Sequence, residues 1–208
     1  MRTLVTGASR GIGAALMTEG RARGHVMLGT VRSGDGLLLD VTDPKAQTRV
    51  AAQVGALELV VCNAGVFIDR GKTVDTLTAD DLNATFAVNV TGVFLTVQAQ
   101  LRNLTEGGRI AVIASQMGSS TKATGDSFAY RASKAAVINL GLTLSDALRA
   151  RGVAVGIYHP GWVQTDMGGD SAAVAVADSA RGLWDRFEAL DMTRSGAFET
   201  YDGQPHPF

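Results

Sequence analysis

The chain has 208 residues, 46% of them hydrophobic, with 20 acidic residues against 19 Lys and Arg for a net charge of −1. That length suits one compact domain with a sizeable core, and the near-neutral balance gives no electrostatic case for nucleic acid or an anionic membrane surface. The single cysteine, Cys62, excludes an internal disulfide and fits a reducing, cytoplasmic setting, while no metal-ligand spacing, signal peptide or bilayer-spanning apolar stretch is apparent.

Strand-like and helix-like runs alternate along the chain, which predicts a parallel sheet covered on both faces. The first strand is expected at Arg2–Thr6 and runs into the turn Gly7-Ala8-Ser9-Arg10-Gly11-Ile12-Gly13, with a helix over Gly11–Arg23. Further strands are expected at His25–Val31, Leu37–Leu39, Leu57–Cys62, Arg109–Ala114, Val153–Tyr158 and Ala197–Thr200. Their nearly continuous apolar content is what doubly buried strands require. Helices are expected at Pro44–Val54, Ala79–Arg102, Ser127–Arg151 and about Val176–Leu190. Asp43-Pro44 is a good helix start, and Thr78-x-x-Asp81 reads as a capping box with Asp in place of Glu. Ser33–Leu39 has room only for a turn, and Gly169–Val176 is too short for a helical lid.

Two features carry chemistry. Glycines in a strand-to-helix turn let the backbone approach a pyrophosphate, whose charge then sits at the helix N-terminus. The spacing here is Gly7-x-x-x-Gly11-x-Gly13, and a tight turn with no ligand is the alternative. Tyr130 and Lys134 stand four apart, on one face of a helix. A free tyrosine, with a pKa of about 10, is a poor proton carrier at neutral pH. One cation about 4 Å away supplies on the order of 4 kcal/mol of preference for phenolate at an effective dielectric near 20. The pair therefore reads as a general acid/base.

Together, Thr6 to Gly13, Asn63-Ala64-Gly65, Ser115, Tyr130-x-x-x-Lys134 and Pro160-Gly161 resemble the short-chain dehydrogenase/reductase family, in that family's order and over nearly the whole chain. The runs Pro160–Gly169 and Gly196–Pro205 narrow the resemblance to the C-factor-like and sniffer-like carbonyl reductase branch. The resemblance implies an α/β fold: a single Rossmann-like, doubly wound parallel sheet of about seven strands, with helices on both faces and one dinucleotide-binding domain over residues 1–208. It also implies an NADP-dependent oxidoreductase that interconverts a small-molecule carbonyl and an alcohol.

The resemblance also implies roles. Tyr130 protonates the carbonyl oxygen, Ser115 hydrogen-bonds it, Lys134 holds the nicotinamide ribose and lowers the phenol pKa, and Asn89 holds a water that extends the proton relay. Gly7, Ser9, Arg10, Gly11, Ile12 and Gly13 meet the cofactor phosphates, and Asn63, Ala64 and Gly65 support the sheet beside it. Asp40 and Val41 match the pair that contacts adenine. Thr165 and the Val163 backbone bond the carboxamide, and Pro160-Gly161 turns the chain behind the ring. Phe67, Met117 and Trp162 are candidate pocket walls or ordinary core, and His159 reads as structural.

Cofactor choice has a physical argument of its own. NAD preference wants an acid at the tip of the second strand. Here that tip reads Thr30-Val31-Arg32, and Arg10 is also at hand. A 2′-phosphate wants guanidinium forks, so NADP (NADPH) is favoured. Solvated arginines are the alternative. A rival function is a dinucleotide-binding signalling protein of the C-factor type, which would not need Ser115, Tyr130 and Lys134 together. A nucleotide-sugar epimerase is disfavoured, because only about forty residues follow Thr165, too few for a sugar-nucleotide domain. The short lid predicts an open substrate site, with closure by a second copy in a homodimer, through the tail Gln204–Phe208, as the alternative.

Overall fold

Seven apolar runs form the seven strands of one all-parallel sheet, in the order β3-β2-β1-β4-β5-β6-β7. The computed structural model describes residues 1–208. The strands are β1 (Arg2–Val5), β2 (Val26–Val31), β3 (Leu37–Leu38), β4 (Leu57–Cys62), β5 (Leu104–Ile113), β6 (Ala154–His159) and β7 (Phe198–Thr200). The helices are α1 (Gly11–Ala22), α2 (Pro44–Val54), α3 (Ala79–Phe86), α4 (Gly92–Gln100), α5 (Phe128–Ala147) and α6 (Val176–Ala189). The strand order reverses between β1 and β4. Ligands in open α/β sheets bind outside the carboxyl ends of the strands at such a switch point.

Two apolar clusters lie on the two faces of the sheet. The larger joins Leu4, Val60, Ile110, Val112 and Val155 to Val50 of α2, Val93 and Val97 of α4, and Val137 and Ile138 of α5. The smaller joins Val5, Leu59, Val61, Ala111 and Tyr158 to Leu16 and Met17 of α1 and Leu183, Trp184 and Phe187 of α6. Trp184 is fully buried, and its indole N–H donates to the Leu16 carbonyl at 2.9 Å, so its one polar atom is satisfied.

The predicted caps form. Asp43 accepts from the Lys45 N–H at 2.8 Å. Thr78 and Asp81 exchange bonds in a capping box, and the Lys72 ammonium joins Asp81. Hydrogen bonds from the Lys72 ammonium and from the Thr78 hydroxyl and N–H hold the Asp81 carboxyl low, at about 2.

Three boundaries differ from expectation. β5 starts at Leu104 rather than Arg109, because Leu57 pairs with Leu104 across an irregular register. The polar stretch Thr105-Glu106-Gly107 hides this in the sequence. The helix expected over Ala79–Arg102 is interrupted by a π-turn at Ala87–Thr91 and stops at Gln100. Ser127–Arg151 resolves into α5, a 3₁₀ turn over Arg149–Arg151, and Gly152 at φ 66. The π-turn also corrects the expectation about membrane-length stretches. With it, Ala79–Gln100 is one helical run of 22 residues with mean hydropathy 1.2, long and apolar enough to cross a membrane by length and composition. In this fold the run packs on α2, α5 and the sheet.

Candidate active site

The turn after β1 holds its shape through backbone conformation and two polar side chains. Gly7 (φ 68) and Gly11 (φ 54) take left-handed conformations that only glycine adopts freely. A Cβ on Gly13 would overlap the Gly7 carbonyl oxygen and lie 2.7 Å from Asn63 Nδ2. Asn63 donates to the Thr6 carbonyl at 2.9 Å and to the Gly7 carbonyl at 3.2 Å. The Thr6 hydroxyl accepts from the Asn63 and Ala64 N–H groups at 3.0 and 3.1 Å. Asn63 and Ala64 thus tie the switch point shut from the β4 side. The first turn of α1 has no side-chain cap and no acid, so its N–H groups and dipole are free for an anion. Ser9 and Ile12 lie in this turn, and Thr165 faces it, with its methyl 3.5 Å from where a Gly11 Cβ would be.

The residues expected at the adenosine end lie past β2, beside the glycine turn, whose Ala8 N–H donates to the Thr30 carbonyl at 2.9 Å. Arg32 is exposed just past β2, and no acid stands at the strand tip. Asp40 is held by the Thr42 N–H and hydroxyl at 2.9 and 2.7 Å, which with the Arg32 field keeps its carboxyl below the usual range. Val41 is buried against Gly92. Arg10 is engaged rather than free. Its guanidinium pairs with Asp166 at 2.6 Å, both side chains being largely exposed. An exposed pair of this kind is worth only about 0–1 kcal/mol, so a phosphate can displace it. These residues fit a dinucleotide carrying an extra phosphate.

The catalytic candidates converge at the ends of β5 and α5. Tyr130, Lys134, Ser115 and Asn89 are all buried. Ser115 follows β5 and accepts from the Met117 N–H at 3.1 Å, so it caps its own turn while standing beside the phenol. Asn89 sits in the π-turn. It accepts from the Val66 N–H at 2.8 Å and donates to the Val66 carbonyl at 2.9 Å and to Ser133 Oγ at 3.0 Å. Gly65 lies between Asn89 and Lys134, since a Cβ there would be 3.3 Å from Asn89 Oδ1 and 3.8 Å from Lys134 Nζ. Turns of the π type are common at functional sites.

The electrostatics differ from the simple pairing expected. Lys134 Nζ is 5.6 Å from the Tyr130 ring centroid and donates to the Ile113 carbonyl at 3.0 Å. Burial lowers Lys134 to about 8. Burial also pushes Tyr130 up to about 12, against the pull of the Ser115 hydroxyl and the Arg70 guanidinium. Desolvation of the phenolate therefore outweighs the neighbouring cations. Burial thus favours the protonated phenol over the phenolate.

A cleft of about 720 Å³ is lined by Phe67, Met117, Phe128, Trp162, Arg70 and Val74 among others, and Phe67 links it to Tyr130. That size suits a drug-sized molecule. Phe67 stacks on the Tyr130 ring at 4.4 Å, and the Arg70 guanidinium lies 4.9 Å over Phe67 and donates to the Met167 carbonyl. All three predicted wall residues thus line the cleft. Trp162 is half exposed and donates to the Gly168 carbonyl at 2.9 Å. Between Gly168 and α6 no helix forms; only a bridge joins Val163 to Val174. Gly161 turns the chain at φ 91, Pro160 accepts from Ser179 at 2.6 Å, and the Thr165 hydroxyl is shared between Gly168 N–H and the Val163 carbonyl. The tail docks on its own chain, with the His206 N–H on the Phe198 carbonyl and Ser120 on the Phe208 carbonyl, both at 2.8 Å. His159 packs on His206, and burial lowers it to about 4, as a structural residue.

Sequence reading missed Asp69, Arg70 and Phe128. Asp69 follows the Asn63-Ala64-Gly65 motif by a few residues in an otherwise featureless loop. The only signal was indirect: nothing acidic stands in the first turn of the helix carrying Tyr130.

Residues 32–174 match the family described as short chain dehydrogenase. The chain belongs to this family. It is 36% identical over 157 residues to the C-signal of Myxococcus xanthus, covering 74% of this chain and 94% of that one. A crystal structure of NADPH-bound carbonyl reductase from chicken fatty liver superposes with a TM-score of 0.91 at 30% identity, over all of this chain and 98% of that one. The carbonyl reductase Sniffer of D. melanogaster shares the fold, with a TM-score of 0.93 at 23% identity over all of this chain and 99% of its own. As a short-chain dehydrogenase of the C-factor-like and sniffer-like carbonyl reductase branch, the chain is an oxidoreductase that uses a nicotinamide dinucleotide.

Proposed function

We propose that this short-chain dehydrogenase is an NADP-dependent oxidoreductase interconverting a carbonyl and an alcohol, with Tyr130 as the proton carrier. The observation that carries this reading is the geometry around the buried Tyr130: its phenol stands beside Ser115, and Phe67, stacked on its ring at 4.4 Å, is a wall of the aromatic-lined cleft. The Ser115 hydroxyl holds the substrate oxygen, and Tyr130 donates its proton to that oxygen during reduction. Lys134 orients the nicotinamide ribose, and Asn89 fixes the Val66 backbone beside it. A bound nicotinamide supplies or accepts the hydride. Arg10 and Arg32 support the choice of NADPH, as does similarity to an NADPH-bound carbonyl reductase. Burial holds the phenol at about 12, so reduction proceeds across neutral pH, whereas alcohol oxidation needs the phenolate and speeds up as pH rises.

NADPH consumption with a panel of aldehydes and ketones tests the reading. Turnover by the parent and a loss of about 10²–10⁴-fold in Tyr130→Phe, with NADPH binding retained, are expected. Activity of Tyr130→Phe within a few fold of the parent overturns the assignment. A second reading, a dinucleotide-binding signalling protein with little turnover, draws on the similarity to a protein named C-signal. Tight NADPH binding with no turnover on any panel member would favour it.

A further inference from the structure

Asp69 is a fully buried carboxylate that the chemistry above does not use. It lies in the loop between β4 and α3, yet its side chain ends on α5. One oxygen accepts the Ala129 N–H at 2.8 Å, and the Tyr130 N–H lies 3.3 and 3.4 Å from the two oxygens. No ion pair holds it. α5 depends on this contact. Its own N-cap, Ser127, sits at φ 55, its hydroxyl makes no cap bond, and the first turn holds no acid. The first N–H groups of a helix have no internal partners. Asp69 satisfies two of them from sixty residues away and sets a negative charge at the positive helix end. The same loop carries Phe67, which stacks on Tyr130, and Arg70, which lies over Phe67.

We infer that Asp69 is a positioning residue, whose carboxylate seats the first turn of α5 and thereby sets where Tyr130 stands against Phe67 and the substrate. One buried group thus locks the substrate-side loop to the catalytic helix. A second effect follows from its charge. Asp69 opposes ionisation of the Tyr130 phenol, against the Arg70 guanidinium and the Ser115 hydroxyl. The Lys134 ammonium, 5.6 Å from the ring centroid, is the other charge facing the ring.

The inference rests on Tyr130 as proton carrier, and the test separates the two. Asp69→Asn keeps the size and one carbonyl acceptor but removes the charge, while Asp69→Ala removes both. Asp69→Ala should lower kcat at least about tenfold, because small misplacements of a reacting group are costly, with NADPH affinity little changed. Asp69→Asn should recover most of kcat and move the rising limb of alcohol oxidation to lower pH. Phenol ionisation, followed as the ultraviolet difference between each protein and its Tyr130→Phe partner, should shift the same way without need of turnover. Parental kcat in a folded Asp69→Ala overturns the inference. Should that variant fail to fold, unshifted phenol ionisation and an unshifted profile in Asp69→Asn overturn it. A parent with no turnover counts against the carbonyl reductase reading, and the phenol titration still decides Asp69.

Discussion

The two sides of Tyr130 are built by different means. Toward β1 and β4, the walls are backbone: Gly13 leaves no space for a side chain, Gly7 and Gly11 take left-handed conformations, and buried Thr6 with half-buried Asn63 pins the turn with hydrogen bonds. Toward the substrate, the walls are side chains on loops, with Phe67, Met117 and Trp162 around an open cleft, Val74 largely in water and Trp162 half exposed. Backbone walls tolerate almost no change, because their shape is conformational. Loop walls can change residue by residue without disturbing the sheet. A chain built this way fixes the part of the reaction common to every substrate and leaves the substrate itself weakly specified.

The largest expected effect lies on the backbone side. Gly13→Val would drive its side chain into the Gly7 carbonyl and Asn63. Dinucleotide binding should fall by at least about 100-fold, or the chain should fail to fold, since overpacking costs about 1–3 kcal/mol or more even in adaptable cores. Fluorescence titration and circular dichroism read both, and parental binding would show that this wall is as plastic as the other.

Arg10→Ala comes next. Losing a charged hydrogen-bond donor should cost about 1–3 kcal/mol of NADPH binding and leave NADH binding nearly unchanged. Equal affinity of the parent for the two cofactors removes the basis for the arginine argument. On the loop side, Trp162→Ala should change kcat/KM across the carbonyl panel by no more than about tenfold. Its ring is half exposed, so truncation removes only part of the roughly 1.5–3 kcal/mol that full burial of a large side chain is worth. A single substrate preferred by orders of magnitude over its analogues would refute the open-site picture.

The last effect falls on stability rather than on binding or turnover, and concerns His159 at the end of β6. Its folded pKa is lowered from 6.5 to about 4 by burial and by His206. The unfolded chain therefore binds more protons in that window, and stability rises with pH from about 4 to 6.5 and is lost as pH falls through it. His159→Gln should flatten this slope in a series of thermal melts. An unchanged slope would place the titration elsewhere.

Legibility in the sequence follows the same division. The strands, the capping box and the glycine turn were readable because each depends on local pattern: continuous apolar runs, Thr78 with Asp81, glycines before Ile12. Ser115, Tyr130 and Lys134 were readable through the spacing that the family shares, and the structure gathers them with Asn89. What stayed hidden depends on partners distant in sequence. Asp69 is meaningful only because Ser127 leaves its helix uncapped, and Arg70 only because Phe67 stacks on Tyr130. The rise of the Tyr130 pKa was also hidden, since burial, the dominant cause, is a property of the fold.

The π-turn at Ala87–Thr91 acts as a phase corrector. In an ordinary α-helix, residues four apart advance by about 40° more than a full turn, so a stripe of that spacing winds off its face. Thr85, Asn89, Val93 and Val97 are all buried at that spacing. The wider i→i+5 loop takes up the excess rotation, which keeps Asn89 in line with the apolar residues that follow it. Deleting one residue here would close the widened turn to an ordinary one, leaving the flanking helices in phase but removing the local displacement on which Asn89 sits. Asn89 would then turn away from Val66 and Ser133, and the site would lose its support through geometry alone, with every site side chain still in the chain.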